Sequence, residues 1–101
     1  MDIKELTEEM NRFVRSKGWY DKTSKRPQTP RNLAISLTLE AAEILEHFQW
    51  REAVKDKAEL ASELADVALY LLELASVTEI DLETAILQKL EINKTREWDQ
   101  E

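Results

Sequence analysis

Hydrophobic positions recur at helical spacing along four stretches of the chain. Leu6, Met10, Phe13 and Val14 predict a first helix from Ile3 to about Lys17. Asp2 can cap it, Glu5 stands at the capping-box position, and Gly18 is a natural C-terminal stop. Thr29-Pro30 reads as the N-cap and first position of a second helix, from about Arg31 to Glu52. After a short link, Ala53 to Asp56, a third helix is predicted to about Val77, with Asp56 as its cap and Glu59 three residues on. Asp81 caps a fourth, to about Trp98, and Asp99 to Glu101 are expected to fray. Trp19 to Gln28 is the one extended loop, and no stretch alternates as a strand would.

The third helix is unusual on a helical wheel. Glu59, Glu63, Asp66, Tyr70 and Glu73 fall within roughly 80° of one another. Leucine, alanine and valine fill most of the remaining arc, so a narrow polar stripe runs along a mostly apolar cylinder. The second helix repeats this, with Ser36, Glu40, Glu43 and His47 on one side and Leu33, Leu37, Ala41, Ile44, Leu45 and Phe48 on another. Apolar arcs this wide on short helices predict burial in a homo-oligomer.

Composition agrees with one small all-α domain over residues 1–101: one Gly, two Pro and 43% apolar residues. A net charge of −7 disfavours binding to nucleic-acid polymers or anionic membranes. There are no cysteines, so thiol nucleophiles and zinc–thiolate sites are excluded. No apolar run approaches the roughly 18 residues of a membrane span, and the N-terminus lacks an apolar signal region, so a cytoplasmic protein is expected.

The candidate chemistry lies in two carboxylate pairs, Glu40-x-x-Glu43 and Glu63-x-x-Asp66. Spacing of three sets each pair on one helix face. Neither Glu40 nor Glu43 has Lys or Arg at i+4, where a solvated face usually supplies one; the neighbouring positions hold His47, Tyr70 and Trp50. Four acids facing one another across packed helices repel unless a cation lies between them, and a divalent ion with oxygen ligands fits. The plain alternative is two solvated helix faces. A di-iron bundle would need two Glu-x-x-His motifs, and the chain has a single histidine. His47 is expected to be a polar neighbour of the site. Lys89, Asn93 and Arg96 share one face of the fourth helix and offer donors to phosphate. Lys22, Lys25 and Arg26 make the loop locally basic, Trp19-Tyr20 opens it, and Trp98 is assigned to packing.

The paired acids, separated by nineteen residues from Ile44 to Ser62, resemble the signature of the MazG-like all-α nucleoside triphosphate pyrophosphohydrolases. Pro30-Arg31-Asn32-Leu33, Phe48-Gln49-Trp50, Asp66 to Leu71 and Lys89-x-x-x-Asn93-x-x-Arg96 are similar to its dCTP pyrophosphatase subgroup. The resemblance runs from Trp19 to Arg96, with a longer loop before Pro30 and a trimmed link between the second and third helices. It implies a four-helix bundle that assembles into a dimer or a dimer of dimers. It implies Mg²⁺-dependent hydrolysis of a deoxynucleoside triphosphate, dCTP or a related one, to the monophosphate and pyrophosphate, as nucleotide-pool house-cleaning. Carried over by motif, Glu40, Glu43, Glu63 and Asp66 would hold Mg²⁺. Trp19 and Trp50 would contact the base; Tyr70, Lys89 and Asn93 would contact phosphate or sugar. Glu43 or Glu63 would activate water, and the sequence does not choose between them. The rivals are a non-catalytic acidic helical interaction module and an enzyme of the same superfamily acting on dUTP or phosphoribosyl-ATP.

Overall fold

The computed structural model of the chain describes residues 1–97. Among these residues the fold is all-helical, with α1 (Ile3–Ser16), α2 (Pro30–Glu46), α3 (Lys57–Val77) and α4 (Leu82–Thr95). The expected caps close every N-terminus. Asp2 accepts from the Glu5 N–H, Thr29 from Asn32, Asp56 from Glu59 and Asp81 from Thr84. Each cap satisfies a first-turn donor that has no partner within its helix.

Two helices end in the same turn built from different residues. Gly18, at φ 73°, donates to the Arg15 carbonyl, and Trp19 N–H reaches back to Val14. Glu79, at φ 59°, donates to Ser76, and Ile80 N–H reaches Ala75. Both are Schellman turns. Glycine enters left-handed backbone without strain, whereas a glutamate there crowds its Cβ. The first turn folds Trp19 back onto the core that holds Val14.

The second helix is shorter than expected. It ends at Glu46 rather than Glu52, where His47 and Phe48 donate to carbonyls only three residues back, Ile44 and Leu45. The spiral tightens and then opens into a link over residues 47–56. Trp50 therefore leaves the helical register that would set it at i+7 from Glu43. No Gly or Pro marks this stop. The contact that accompanies it is tertiary: His47 Nε2 lies 2.5 Å from Glu63 Oε2 on α3. α4 likewise ends early, at Thr95 rather than near Trp98, because Arg96 turns to extended backbone; the packing role of Trp98 and the fraying expected of Asp99 to Glu101 lie outside the described residues.

α3 is the central element. It packs most extensively on α2 and also on α1, while α4 leans on α1. Met10, Val14 and Leu72 form the core, with Ile3, Trp19, Tyr20 and Leu82 against it, and Leu33 is 2% exposed. No residue of α4 is buried. Ile35, Leu39 and Leu45 on α2, Leu64, Leu69 and Leu71 on α3, and Ile86, Leu87, Leu90 and Ile92 on α4 are exposed. The radius of gyration is 16.4 Å, against about 13 Å for a compact chain of this length.

A polar network ties α1 to α3. Asn11 Nδ2 donates to Ser76 Oγ at 3.0 Å, and the Tyr20 hydroxyl donates to Asn11 Oδ1 at 2.5 Å. The same hydroxyl interacts with the carboxyl of Glu73, which is 4% exposed. A hydroxyl has one proton, and both Asn11 Oδ1 and the Glu73 carboxylate stand as acceptors for it. Burial pushes the Glu73 carboxyl up and outweighs the opposing Tyr20 hydrogen bond. Burial first, then Glu73, against Arg15, push Tyr20 up to about 12, so its hydroxyl stays protonated at neutral pH.

Two outcomes are expected. Glu79→Gly relieves the left-handed strain and raises stability by about 0.5–1 kcal/mol in urea unfolding; a loss of stability would show that Glu79 adds more than its backbone costs. A raised native pKa means that Glu73 favours folding fully below the ordinary carboxylate value and loses that contribution as pH rises through its native value. The urea midpoint of Glu73→Gln should therefore match the wild type near about pH 4 and exceed it near about pH 8. A difference that stays constant across that range would rule out a titrating Glu73.

Candidate functional site

The packing of α2 on α3 brings the two carboxylate pairs together. The Glu40 carboxyl is raised above its usual range by burial first, then by Glu43, Asp66 and Glu63. Its Oε2 is shielded from water and has no hydrogen-bond partner among the described residues. Each of the other three acids raises the cost of ionising Glu40, so all four share one electrostatic neighbourhood. An orphaned carboxylate oxygen among three more carboxylates is a donor set that suits a hard divalent cation.

Glu63 belongs to a second set as well. It is hydrogen-bonded to His47, with side chains 19% and 11% exposed respectively. One ligand atom each from His47, Glu59 and Glu63 lies within 4.8 Å of the others. Because His47 closes α2 and Glu63 stands on α3, this bond fixes the end of the acid cleft. His47 is thus a neighbour of the acids, as expected, and also a candidate ligand.

Beside the acids lies a cavity of about 740 Å³, within the range of small-molecule sites. Met10 and Phe13 of α1, the loop from Lys25 to Gln28, Asn32 and Ser36 of α2, and Asp66, Tyr70 and Glu73 of α3 contribute to its wall. Trp19 lines it too, met edge-on by Phe13 at 5.6 Å and overlaid by the Arg26 guanidinium at 5.7 Å. The loop is latched to α2 by Asn32 Nδ2, which donates to the Pro27 carbonyl at 3.0 Å. The basic loop, for which the sequence assigned no role, thereby brings Lys25 and Arg26 to the cavity.

Among the sequence-derived candidates, the structure gathers Glu40, Glu43, Glu63 and Asp66 at one place and Trp19 and Tyr70 around the adjoining cavity. Trp50 is 86% exposed in the link, and neither it nor Lys89 nor Asn93 lines the cavity of a single copy. Sequence reasoning missed Arg26, Lys25, Tyr20 and Asn11 as parts of this region. It placed Glu73 on the acidic stripe without separating it from the solvated acids. The available signal was its i+7 spacing from Asp66 on an otherwise apolar turn. No helix among the described residues is long and apolar enough to cross a membrane.

Known proteins resemble this chain in sequence and in fold. The profile of the MazG-like family matches residues 35–101. The chain is 38% identical over 76 residues to human dCTP pyrophosphatase 1, and 37% identical over 76 residues to the rat and mouse proteins of that name. Each match covers 66% of this chain and 45% of the relative, so the chain spans less than half the length of these proteins. In fold it is similar to a pyrophosphatase from Archaeoglobus fulgidus, with a TM-score of 0.77 and 37% identity over 90% of this chain and 87% of that one. Sequence and fold agree, and the chain belongs to the MazG-like family.

Proposed function

We propose that the chain is a Mg²⁺-dependent nucleoside triphosphate pyrophosphohydrolase that releases pyrophosphate from a deoxynucleotide, dCTP or a close relative, in the cytoplasm. The observation that carries this is the unpartnered Glu40 oxygen among three further carboxylates, beside a cavity of nucleotide size walled by Trp19 and Tyr70. The names of the dCTP pyrophosphatases and of the archaeal pyrophosphatase support it.

Glu40, Glu43, Glu63 and Asp66 would hold Mg²⁺. When bound, the metal supplies charge neutralisation and polarisation of phosphoryl oxygens. In the reaction a water oxygen bonds to the α-phosphorus, the bond to the bridging oxygen breaks, and pyrophosphate leaves. One carboxylate takes the proton that water loses. Glu43 is exposed and able to receive it; Glu63 is held in place by His47. Trp19 and Tyr70 enclose the nucleoside, and Arg26 and Lys25 add positive charge at the cavity rim.

The exposed apolar faces and the extended shape support a dimer or a dimer of dimers. In such an assembly Trp50, Lys89 and Asn93 would reach a bound nucleotide from a second copy.

A panel of NTPs and dNTPs with dUTP and phosphoribosyl-ATP, assayed with Mg²⁺, should yield monophosphate plus pyrophosphate from a deoxynucleotide. Diphosphate plus phosphate, or no turnover, would reject the proposed reaction. Glu63→Ala should abolish pyrophosphate release while helical circular dichroism is unchanged; retained turnover would remove Glu63 from the site. Metal binding requires Glu40 ionised, and its pKa is raised, so Mg²⁺ affinity should fall as pH drops through that raised value, with proton release on binding. Isothermal titration in buffers of different ionisation enthalpy measures both. Glu40→Gln should bind Mg²⁺ more weakly and with a flatter pH dependence, and a pH dependence equal to the wild type would argue that Glu40 is not a ligand.

A further inference from the structure

The loop before α2 puts an uncommitted guanidinium on the cavity wall. Arg26 lines the cavity, and its side chain makes no ion pair or hydrogen bond among the described residues. Glu9, Asp66 and Glu73 stand on the same wall, yet the guanidinium lies over the Trp19 ring, 5.7 Å from its centre. Flush contact with that centre would bring it to about 3.5–4 Å. It stands off the ring centre, and its N–H donors are open to a ligand.

The backbone beneath that side chain is held from both sides. The Arg26 N–H donates to Ser24 Oγ at 3.0 Å, and its carbonyl accepts from Gln28 Nε2 at 2.6 Å. The next carbonyl, of Pro27, accepts from Asn32 Nδ2 at 3.0 Å, which ties the loop to α2. Gln28 and Asn32 also line the cavity, but these amide donors are spent on the loop. Arg26 is therefore an exposed side chain on a fastened backbone, with an indole beneath it. A donor fork ordered before the ligand arrives loses less entropy when it binds.

We infer that Arg26 is the specificity-determining residue of this cavity: its guanidinium reads the edge of a nucleobase held at Trp19, donating in parallel to two adjacent acceptors. The chain then favours cytosine, which offers N3 beside O2, over uracil, which carries an N–H at position 3. This rests on the pyrophosphohydrolase reading above, with Trp19 at the nucleoside.

The geometry of the two edges makes the distinction. A guanidinium presents parallel donors at fixed spacing, and the cytosine edge accepts both. The uracil edge turns one of them donor to donor, and a site built around a hydrogen bond rejects the analogue that cannot make it. Lys25 stands on the same wall, but an ammonium is a point charge and does not tell the two edges apart.

The test measures kcat/KM for dCTP and dUTP in the full chain with Mg²⁺. A third substrate is the deoxynucleoside triphosphate of 2-pyrimidinone, which keeps N3 and O2 and lacks the 4-amino group. The wild type should favour dCTP over dUTP, with the pyrimidinone nucleotide close to dCTP. Arg26→Lys keeps the charge and loses the fork, and should lower the dCTP-to-dUTP ratio about tenfold through loss on dCTP. Arg26→Ala should lower it as well, and both variants should keep the helical circular dichroism, since the residue is exposed. A guanidinium that served the phosphates as a charge would leave the ratio unchanged in Arg26→Lys and weaken all three substrates equally in Arg26→Ala; either result overturns the role of Arg26. So does a wild type without preference for dCTP, or a pyrimidinone nucleotide that falls with dUTP, while pyrophosphate release stands. No turnover of any of the three by the wild type overturns the pyrophosphohydrolase reading, and this inference with it.

Discussion

α2 and α3 pack through apolar side chains, and that packing forces four carboxylates into one neighbourhood. The helices' attraction is non-directional and sums over many contacts. The repulsion is local and falls on Glu40, which answers by holding its proton more tightly and by leaving one oxygen unpaired. The rest of the structure is arranged around this conflict. Asp56 starts α3 at the register that aims Glu63 and Asp66 toward α2. Thr29 and Pro30 do the same for Glu40 and Glu43. His47 then fixes Glu63 at the end of the cleft. A frame that concentrates like charge in this way gains stability from any cation that enters it.

One copy leaves much apolar surface uncovered, and it does so on three helices at once. The buried core lies on α1, at Leu33 of α2 and on the C-terminal half of α3, and only the start of α4 packs against it, so α4 leans mainly on α1 and keeps an apolar face without cover. This agrees with the position of Trp50, Lys89 and Asn93, which stand away from the cavity in the same copy. Residues carried over from a family motif need not meet within one chain. A motif records which side chains meet a ligand, and it does not say which copy supplies them.

The caps at Asp2, Thr29, Asp56 and Asp81 were legible because each is a local event of a few residues. So were the two acid pairs, since spacing alone sets them on helix faces. The end of α2 was not. It falls among good helix formers with no Gly or Pro, and the bond that accompanies it spans sixteen positions, from His47 to Glu63. The Schellman turn at Gly18 was announced by its residue; the matching turn at Glu79 was carried by a residue that rarely signals one. The basic loop was visible as a cluster of charge, yet its contribution to the cavity depends on the Asn32 latch and the stacking of Arg26 on Trp19, neither of which has a local signature. Glu73 read as one more acid on a stripe. Only the third dimension separates it from its neighbours, because Tyr20 and Asn11 arrive from α1 and the loop beyond it.

The stripe of α3 therefore holds acids of two kinds. At Asp66 and Glu63, carboxylates crowd the carboxylates of α2, and a cation between them would relieve the crowding. At Glu73, one carboxyl is buried beside the Tyr20 hydroxyl, away from the other acids, and that burial pushes its pKa up. The residue type is nearly the same, and the environment is what differs. Tyr70 lies between them on the same face, one helical turn from each. A single rigid helix thus sets the distance between the acid cleft at Asp66 and the buried carboxyl of Glu73 along the wall of the cavity.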